Sequence, residues 1–343
     1  MKTAVSEPIG LKHGAGGRAM RALIENVLTD GMPKGPARGV GLAAMDDGAA
    51  IPIGDRFLVI TTDSHVIKPY FFPGGDIGKL AISGTVNDLA MMGATDVLGL
   101  TCSVILEEGF ARDELERIQI SLRETCTEAN APIVTGDTKV MGRGELDGIV
   151  LNTCGVALTD RVVTDSGLKP GDRLLVTGTI GDHGLAVMAH RHGLDLDGEL
   201  DSDVAPLNGL VRRALEAGGE AVVAMKDPTR GGLASVLHEM AHKSGVGILI
   251  EENEVPVSPM VRSAAELLGI DPMHVANEGK AVLGVRPERA RDVLEALKSH
   301  PLGKDAALVG TCLEEHVGSV IVDTGFGRRL LSEIEGEPLP RIC

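Results

Sequence analysis

The chain has 343 residues, enough for two buried cores, and 49 acidic against 33 basic residues give it a formal charge of −16. That balance excludes binding to a phosphate backbone or an anionic membrane through bulk electrostatics, and a chain with no Trp and one Tyr has little with which to stack bases. Five cysteines without CxxC spacing suggest neither a zinc site nor a disulfide framework, the N-terminus has no apolar signal core and no stretch approaches 18 uninterrupted apolar residues, so a cytoplasmic protein is expected.

In chain order, residues 18–29 place Met20, Leu23, Ile24, Val27 and Leu28 on one face of a first helix. Short strands are expected at 41–45, 50–53 and 57–62, antiparallel because Asp-Asp-Gly and Gly-Asp turns separate them. Asp76 reads as the N-cap of a helix whose apolar stripe runs to Gly93. Strand 95–106, helix 111–129, strand 131–136 and strand 148–158 follow. The polar TDSGLKPG segment at 164–171 marks a domain boundary. Beyond it, helices are expected at 182–192, 206–217, 231–244, 257–269 and 287–299, and strands at 172–178, 246–251, 280–285, 306–311 and 317–323. Both halves are thus α/β or α+β. After Gly325 the periodicity decays, and GEPLPRIC, with its two prolines, reads as an extended, mobile tail.

Aspartates recur beside glycine or at predicted strand ends: Asp47, Asp63, Asp88, Asp137 and Asp227. A strand end projects a side chain from a rigid sheet, and converging carboxylates would hold Mg²⁺ between protein and polyphosphate oxygens. For any single one of these residues a simple turn role is equally compatible. The segment from Asp227 to Gly232 delivers the start of a helix whose free amides would favour a phosphate, and His13-Gly-Ala-Gly-Gly could do the same at the first helix. Neither fits the Walker pattern, so an ordinary P-loop is excluded.

Gly136-Asp137-Thr138-Lys139 closes an apolar strand. If that strand continues, Asp137 and Lys139 share one face, and Lys139 could neutralise charge on a transferred phosphoryl group. Glu278, in a turn ahead of a strand, is a candidate base. Four cysteines sit in apolar or helical contexts where an inert role is the default. Cys343 differs, because the last residue cannot enter a core without dragging its carboxylate inside. It reads as an exposed terminal thiol, on a tail whose eight residues from 336 could extend roughly 25 to 30 Å.

HGAGG at 13–17, the run from Thr61 to Ala94, TGDTKV at 135–140, KDPTRGGL at 226–233, NEG at 277–279 and the terminal PRIC together resemble the HypE family of hydrogenase maturation factors. This family lies within the PurM-like, aminoimidazole-ribonucleotide-synthetase-related superfamily of ATP-binding proteins. The first five motifs have counterparts across the superfamily; PRIC singles out HypE. The resemblance implies a PurM-like two-domain fold: residues 1–165 as an ATP-binding, dimerising α+β domain with β-barrel-forming strands, 166–330 as a C-terminal α/β domain, and 331–343 as a mobile tail.

It also implies an ATP-dependent carbamoyl dehydratase. HypF would load a carbamoyl group on Cys343, the enzyme would dehydrate it to a thiocyanate, and the cyanide would pass to a HypC–HypD complex for the iron centre of [NiFe] hydrogenase. On the same basis Cys343, Lys139 and Glu278 take the chemical roles. Asp63, Asn87, Asp88, Gly136, Asp137, Thr138, Lys139, Asp227, Thr229, Arg230 and Asn277 would contact ATP, and Asp47, Asp63, Asp88, Asp137 and Asp227 would hold Mg²⁺. Selenophosphate synthetase would need a reactive Cys or Sec near the first glycine loop, which is absent here. Thiamine-phosphate kinase would explain the aspartates but not PRIC. A non-catalytic carrier whose Cys343 docks a partner or ligates iron stays open.

Overall fold

The structure is a computed structural model that describes residues 8–14, 16–33, 35, 38–194 and 200–333. Cys343 and the PRIC motif lie outside the described residues. The expected first helix forms as α1 (Gly17–Leu23) and continues in a wider turn to Leu28. None of its residues is buried among the described residues, however, and Val27 and Leu28 stay exposed. The expected strand at 41–45 is instead a 3-10 turn over Leu42–Ala44, closed by Met45 in the left-handed region at φ 46°. Only the isolated bridge Val40–Ala50 survives of the pairing, and the turn leaves Asp46 and Asp47 at a bend rather than in a ladder.

Strands β1 (Ala49–Ile53) and β2 (Arg56–His65) then form an antiparallel hairpin around Gly54-Asp55, with Gly54 at φ 60°. A two-rung hairpin of β3 (Phe71–Phe72) and β4 (Gly75–Asp76) feeds α2 (Ile77–Met91). Asp76 caps this helix, its Oδ1 accepting from the amides of Gly78 at 2.7 Å and Lys79 at 3.0 Å. The one-sided stripe expected for α2 is really an almost fully buried helix. It lies between its own sheet, α3 and the C-terminal half, so even Ser83, Thr85 and Asn87 are enclosed.

Next come β5 (Val97–Glu107), α3 (Arg112–Ala129), β6 (Ile133–Met141) and β7 (Ile149–Thr159). The five-stranded sheet has the order β1-β2-β7-β5-β6. All its pairs are antiparallel except β5–β6, which α3 connects as a crossover. On β7, Ile149, Leu151, Thr153, Ala157 and Thr159 are buried, and the alternate residues Val150, Asn152, Cys154, Val156 and Leu158 face the uncovered side. β6 is exposed along nearly its whole length.

The second half holds β8 (Arg173–Val176), α4 (Asp182–His192), α5 (Asn208–Gly218), β9 (Val222–Lys226), α6 (Gly232–Ser244), β10 (Gly247–Glu251), α7 (Pro259–Leu268), β11 (Val282–Val285), α8 (Ala290–Lys298), β12 (Ala307–Leu313), β13 (Val320–Asp323) and β14 (Arg328–Leu330). Its sheet runs β14-β13-β10-β12-β8-β11-β9. Leu174 and Val176 pack towards α6, while Leu175 packs with Leu210 of α5 and Val293 of α8, so the sheet has a core on each face. β9 and β14 were not foreseen. The first is a run of only four apolar residues closed by Lys226, and the second pairs through a glycine-containing hairpin in a segment whose periodicity had faded.

Leu80 and Val86 of α2 share a cluster with Leu185 of α4 and Val261 of α7, so the two halves are joined by a common core. The chain is still packed at the start of the expected tail. Leu331 is 2% exposed, its amide donates to Val320 O at 2.9 Å and its carbonyl lies 3.0 Å from His238 Nε2.

Candidate active site

A cleft of about 670 Å³ opens where the first sheet, α1 and the start of α6 meet, a size suited to a nucleotide-scale ligand. Three of the five expected aspartates converge in it. Asp47 comes from the bend ahead of β1, Asp88 from the enclosed helix α2 and Asp227 from the residue just past β9. One carboxylate oxygen from each lies within 4.8 Å of the others, an arrangement able to hold a divalent ion. Thr61 Oγ1 ties two of them together, 2.8 Å from Asp88 Oδ2 and 2.9 Å from Asp47 O.

The electrostatics of the group follow from burial. Desolvation, then Asp165 and Asp47, push Asp46 up to about 7; desolvation, then Asp47, bring Asp227 to about 7. Burial followed by the charges of Asp227, Asp63 and Asp47 raises Asp88 well above the usual carboxylate range. Such a set binds protons when no cation is present and exchanges them for one that arrives.

Asp63, on β2, lines the same cleft. Its Oδ1 accepts from the Ser64 amide at 2.7 Å and its Oδ2 lies 3.3 Å from His65 Nε2. Gly84 of α2 passes directly beneath, where a Cβ would stand 2.9 Å from His65 Nε2 and 3.3 Å from Asp63 Oδ2. Glu278 also lines the cleft and is 4% exposed. Its amide donates to Asp203 Oδ1 at 3.0 Å, but its Oε1 has no hydrogen-bond partner among the described residues. Burial, followed by Asp227, Asp63 and Asp203, raises it well above the ordinary glutamate value.

Thr229 and Arg230 line the cleft, as do Gly16 and Gly17 of the first glycine motif. Gly16 adopts φ 82° and a Cβ there would come 3.0 Å from Arg230 Cβ, so the two motifs meet at a point only glycine fits. Asn87 and Asn277 are brought near but do not line the cleft. Asn87 Nδ2 donates to Ala205 O and Glu278 O, both at 3.2 Å, and its Oδ1 accepts from the Leu207 amide at 2.7 Å. Asn277 Oδ1 accepts from the Gly181 amide at 2.7 Å and its Nδ2 reaches Val275 O at 3.1 Å and Pro228 O at 3.3 Å. Both spend their polar atoms on backbone that shapes the site.

Gly136, Asp137, Thr138 and Lys139 lie elsewhere. The strand does continue, so Asp137 and Lys139 share one face, 2.8 Å apart. They border a smaller hollow on the uncovered side of the first sheet with Ser64, Ser103 and Asn152. Pairing runs from Ser64 to Asn152, to Ser103, to Asp137. Asp137 therefore stands three strand spacings, about 14 Å, from the cleft edge on that face. Gly136 faces the other way, where a Cβ would be 2.3 Å from Cys102 O.

Sequence reasoning missed Asp46, Lys226, Glu239 and Lys243, which line the cleft, and the buried Asp165, which pairs with both lysines. The charged Lys226-Asp227 pair after an apolar run was the available signal. Among the four cysteines expected to be inert, Cys102 and Cys312 are buried, whereas Cys154 lines the cleft.

The AIR synthase related protein N-terminal domain matches residues 45–159, and the corresponding C-terminal domain matches 169–323. Carbamoyl dehydratase HypE of Escherichia coli is 45% identical over 343 residues, covering 98% of this chain and 99% of that protein. A putative hydrogenase expression/formation protein of Methanocaldococcus jannaschii is 48% identical over 334 residues, covering 96% and 98%. Among solved structures, a HypE–HypF complex superposes with a TM-score of 0.85 at 45% identity, covering 91% of this chain and all of that one. Hydrogenase maturation protein HypE in complex with ATP superposes at 0.81 with 40% identity, covering 97% and 99%. A thiamine monophosphate kinase at 20% identity and a TM-score of 0.65 shares the fold alone. With both family domains matched in order and relatives of this identity along its whole length, the chain belongs to the HypE family of AIR-synthase-related proteins.

Proposed function

We propose that this chain is an ATP-dependent carbamoyl dehydratase that converts an S-carbamoyl group on its own Cys343 to a thiocyanate. The observation that carries the reading is that the Asp47, Asp88 and Asp227 group shares one cleft with the buried Glu278, whose Oε1 has no hydrogen-bond partner among the described residues. The two features suit the two halves of the reaction. A primary amide oxygen leaves poorly; transfer of the γ-phosphoryl group of ATP to it, followed by loss of phosphate and of both nitrogen protons, yields the nitrile. Mg²⁺ supplies neutralisation of phosphate charge when bound. The aspartates would hold it with hard oxygen ligands, and Asp63 offers a further carboxylate on the cleft wall.

Glu278 would accept the amide proton. Burial, followed by Asp227, Asp63 and Asp203, raises its pKa, and a carboxylate with a raised pKa is a stronger base than an exposed one. Thr229, Arg230 and the amides of the first glycine motif would orient the phosphates. Lys139, with Asp137, would reach the site from a second subunit. The uncovered face of the first sheet carries Leu58, Ile60, Val156 and Leu158, and a homodimer formed across it would lay β6 of one chain over the cleft edge of the other. Asp137 would then join the cation ligands in trans. The lack of disulfide patterning suits a cytoplasmic enzyme, and no helix among the described residues is long and apolar enough to cross a membrane.

HypF is the proposed source of the carbamoyl group, and a HypC–HypD complex the acceptor of cyanide. Incubation of the full chain with HypF, carbamoyl phosphate and ATP, followed by mass spectrometry of the C-terminal peptide, tests the proposal. The expected result is carbamoylation of Cys343 and then loss of one water that requires ATP. A peptide that stays carbamoylated while ATP is hydrolysed would favour a carrier instead.

A further inference from the structure

We propose that Lys226 is a built-in counter-ion that clamps the two halves of the chain across the cleft and pre-forms the Asp47, Asp88 and Asp227 group before a divalent cation arrives. This rests on the reading that those aspartates take a cation. Lys226 ends β9 in the C-terminal half, immediately before Asp227. Its side chain is 12% exposed, and its Nζ lies 2.5 Å from Asp47 Oδ1, 3.6 Å from Asp165 Oδ2 and 3.7 Å from Glu239 Oε2. Three carboxylates around one ammonium is the environment a metal ion would otherwise take.

The contacts cross the molecule. Asp47 belongs to the N-terminal half, Asp165 to the connection between halves and Glu239 to α6. A second lysine braces the same bend, with Lys243 Nζ 2.6 Å from Asp165 Oδ2 and 2.7 Å from Met45 O. The two oxygens of Asp47 are divided: Oδ1 takes Lys226, and the buried Oδ2 has no hydrogen-bond partner among the described residues, leaving it for a cation. Without the ammonium, Asp47 would lose the counter-charge at its Oδ1, an unfavourable state that a bound cation would relieve.

Thermal unfolding of the full chain in EDTA and in millimolar MgCl₂ tests this without reference to turnover. Lys226→Met should unfold several degrees below wild type in EDTA and recover most of the loss in MgCl₂, so that its Mg²⁺-induced shift is at least twice that of wild type. Lys226→Arg should behave as wild type, and adding Glu239→Gln to Lys226→Met should restore part of the loss in EDTA. An equal loss in both media marks an ordinary buried ion pair and overturns the proposal, as does an unchanged midpoint or a variant that stays unfolded in MgCl₂. A wild-type chain and variant both blind to Mg²⁺ would instead remove the cation reading itself.

Discussion

The backbone amide of Glu278 donates to Asp203 Oδ1 at 3.0 Å, fixing the glutamate by its main chain while leaving its buried Oε1 without a partner. A side chain held this way is positioned by its main chain while its carboxyl stays available for proton transfer, as a base in an enclosed site requires. Glu278→Gln should abolish conversion of the carbamoyl group while ATP binding, read by calorimetry, changes less than threefold. The replacement should also alter stability in a pH-dependent direction. A carboxyl whose folded pKa is raised contributes stability at low pH that is lost as pH rises through the folded value. Gln does not titrate, so the variant should gain on wild type as pH is raised, measured by urea unfolding between pH 5 and 8. A parallel offset at every pH would contradict the raised pKa.

The same sign applies to Asp46 and Asp227, both at about 7 against an ordinary 3.8. In EDTA the chain should lose stability between pH 5 and 8, as these buried groups shed protons and repel one another. Mg²⁺ should flatten that slope. Its binding at pH 6.5 should release protons, which calorimetry in buffers of different ionisation enthalpy will detect as a buffer-dependent heat. No buffer dependence would mean that the carboxylates are already ionised in the free protein.

Legibility in the sequence followed locality. The N-cap at Asp76, the hairpin at Gly54 and the helices are encoded by neighbours, and the structure forms them within a few residues of the expected bounds, whereas the strand at 41–45 did not form and β9 and β14 were not foreseen. Asp47, Asp88 and Asp227 were legible as chemistry, since each follows or interrupts an apolar run. Which aspartates meet was not, because that depends on where β6 lies in the sheet. TGDTKV looks equal to KDPTRGG as a motif, yet β6 is an edge strand three positions from β2. Lys226 escaped notice for a related reason: its partners Asp47, Asp165 and Glu239 are far apart in the chain, and their meeting depends on the packing of one half on the other.

A composite site makes a sharp demand on mixed dimers. If Lys139 acts on the cleft of the neighbouring subunit, Lys139→Ala and Glu278→Gln should each be inactive alone. Mixed in equal amounts and allowed to exchange subunits, they should regain about a quarter of wild-type dehydration, because half the dimers carry one intact site of two. Sites contained in a single chain predict no recovery, and sedimentation would show whether dimers formed in the mixture.

Gly84 provides a last check on the cleft wall. Ala is the better helix former by roughly 1 kcal/mol, so on propensity alone Gly84→Ala should stabilise α2. The added methyl would nonetheless stand 2.9 Å from His65 Nε2 and 3.3 Å from Asp63 Oδ2. His65 is fully enclosed, with burial holding its pKa low, so it has little room to yield, and Asp63 at the cleft surface is the group that moves. The expected result is a several-fold weaker affinity for Mg²⁺–ATP with a melting temperature within a few degrees of wild type. Unchanged affinity would show that Asp63 does not hold the cation or its phosphate, leaving that task to Asp47, Asp88 and Asp227.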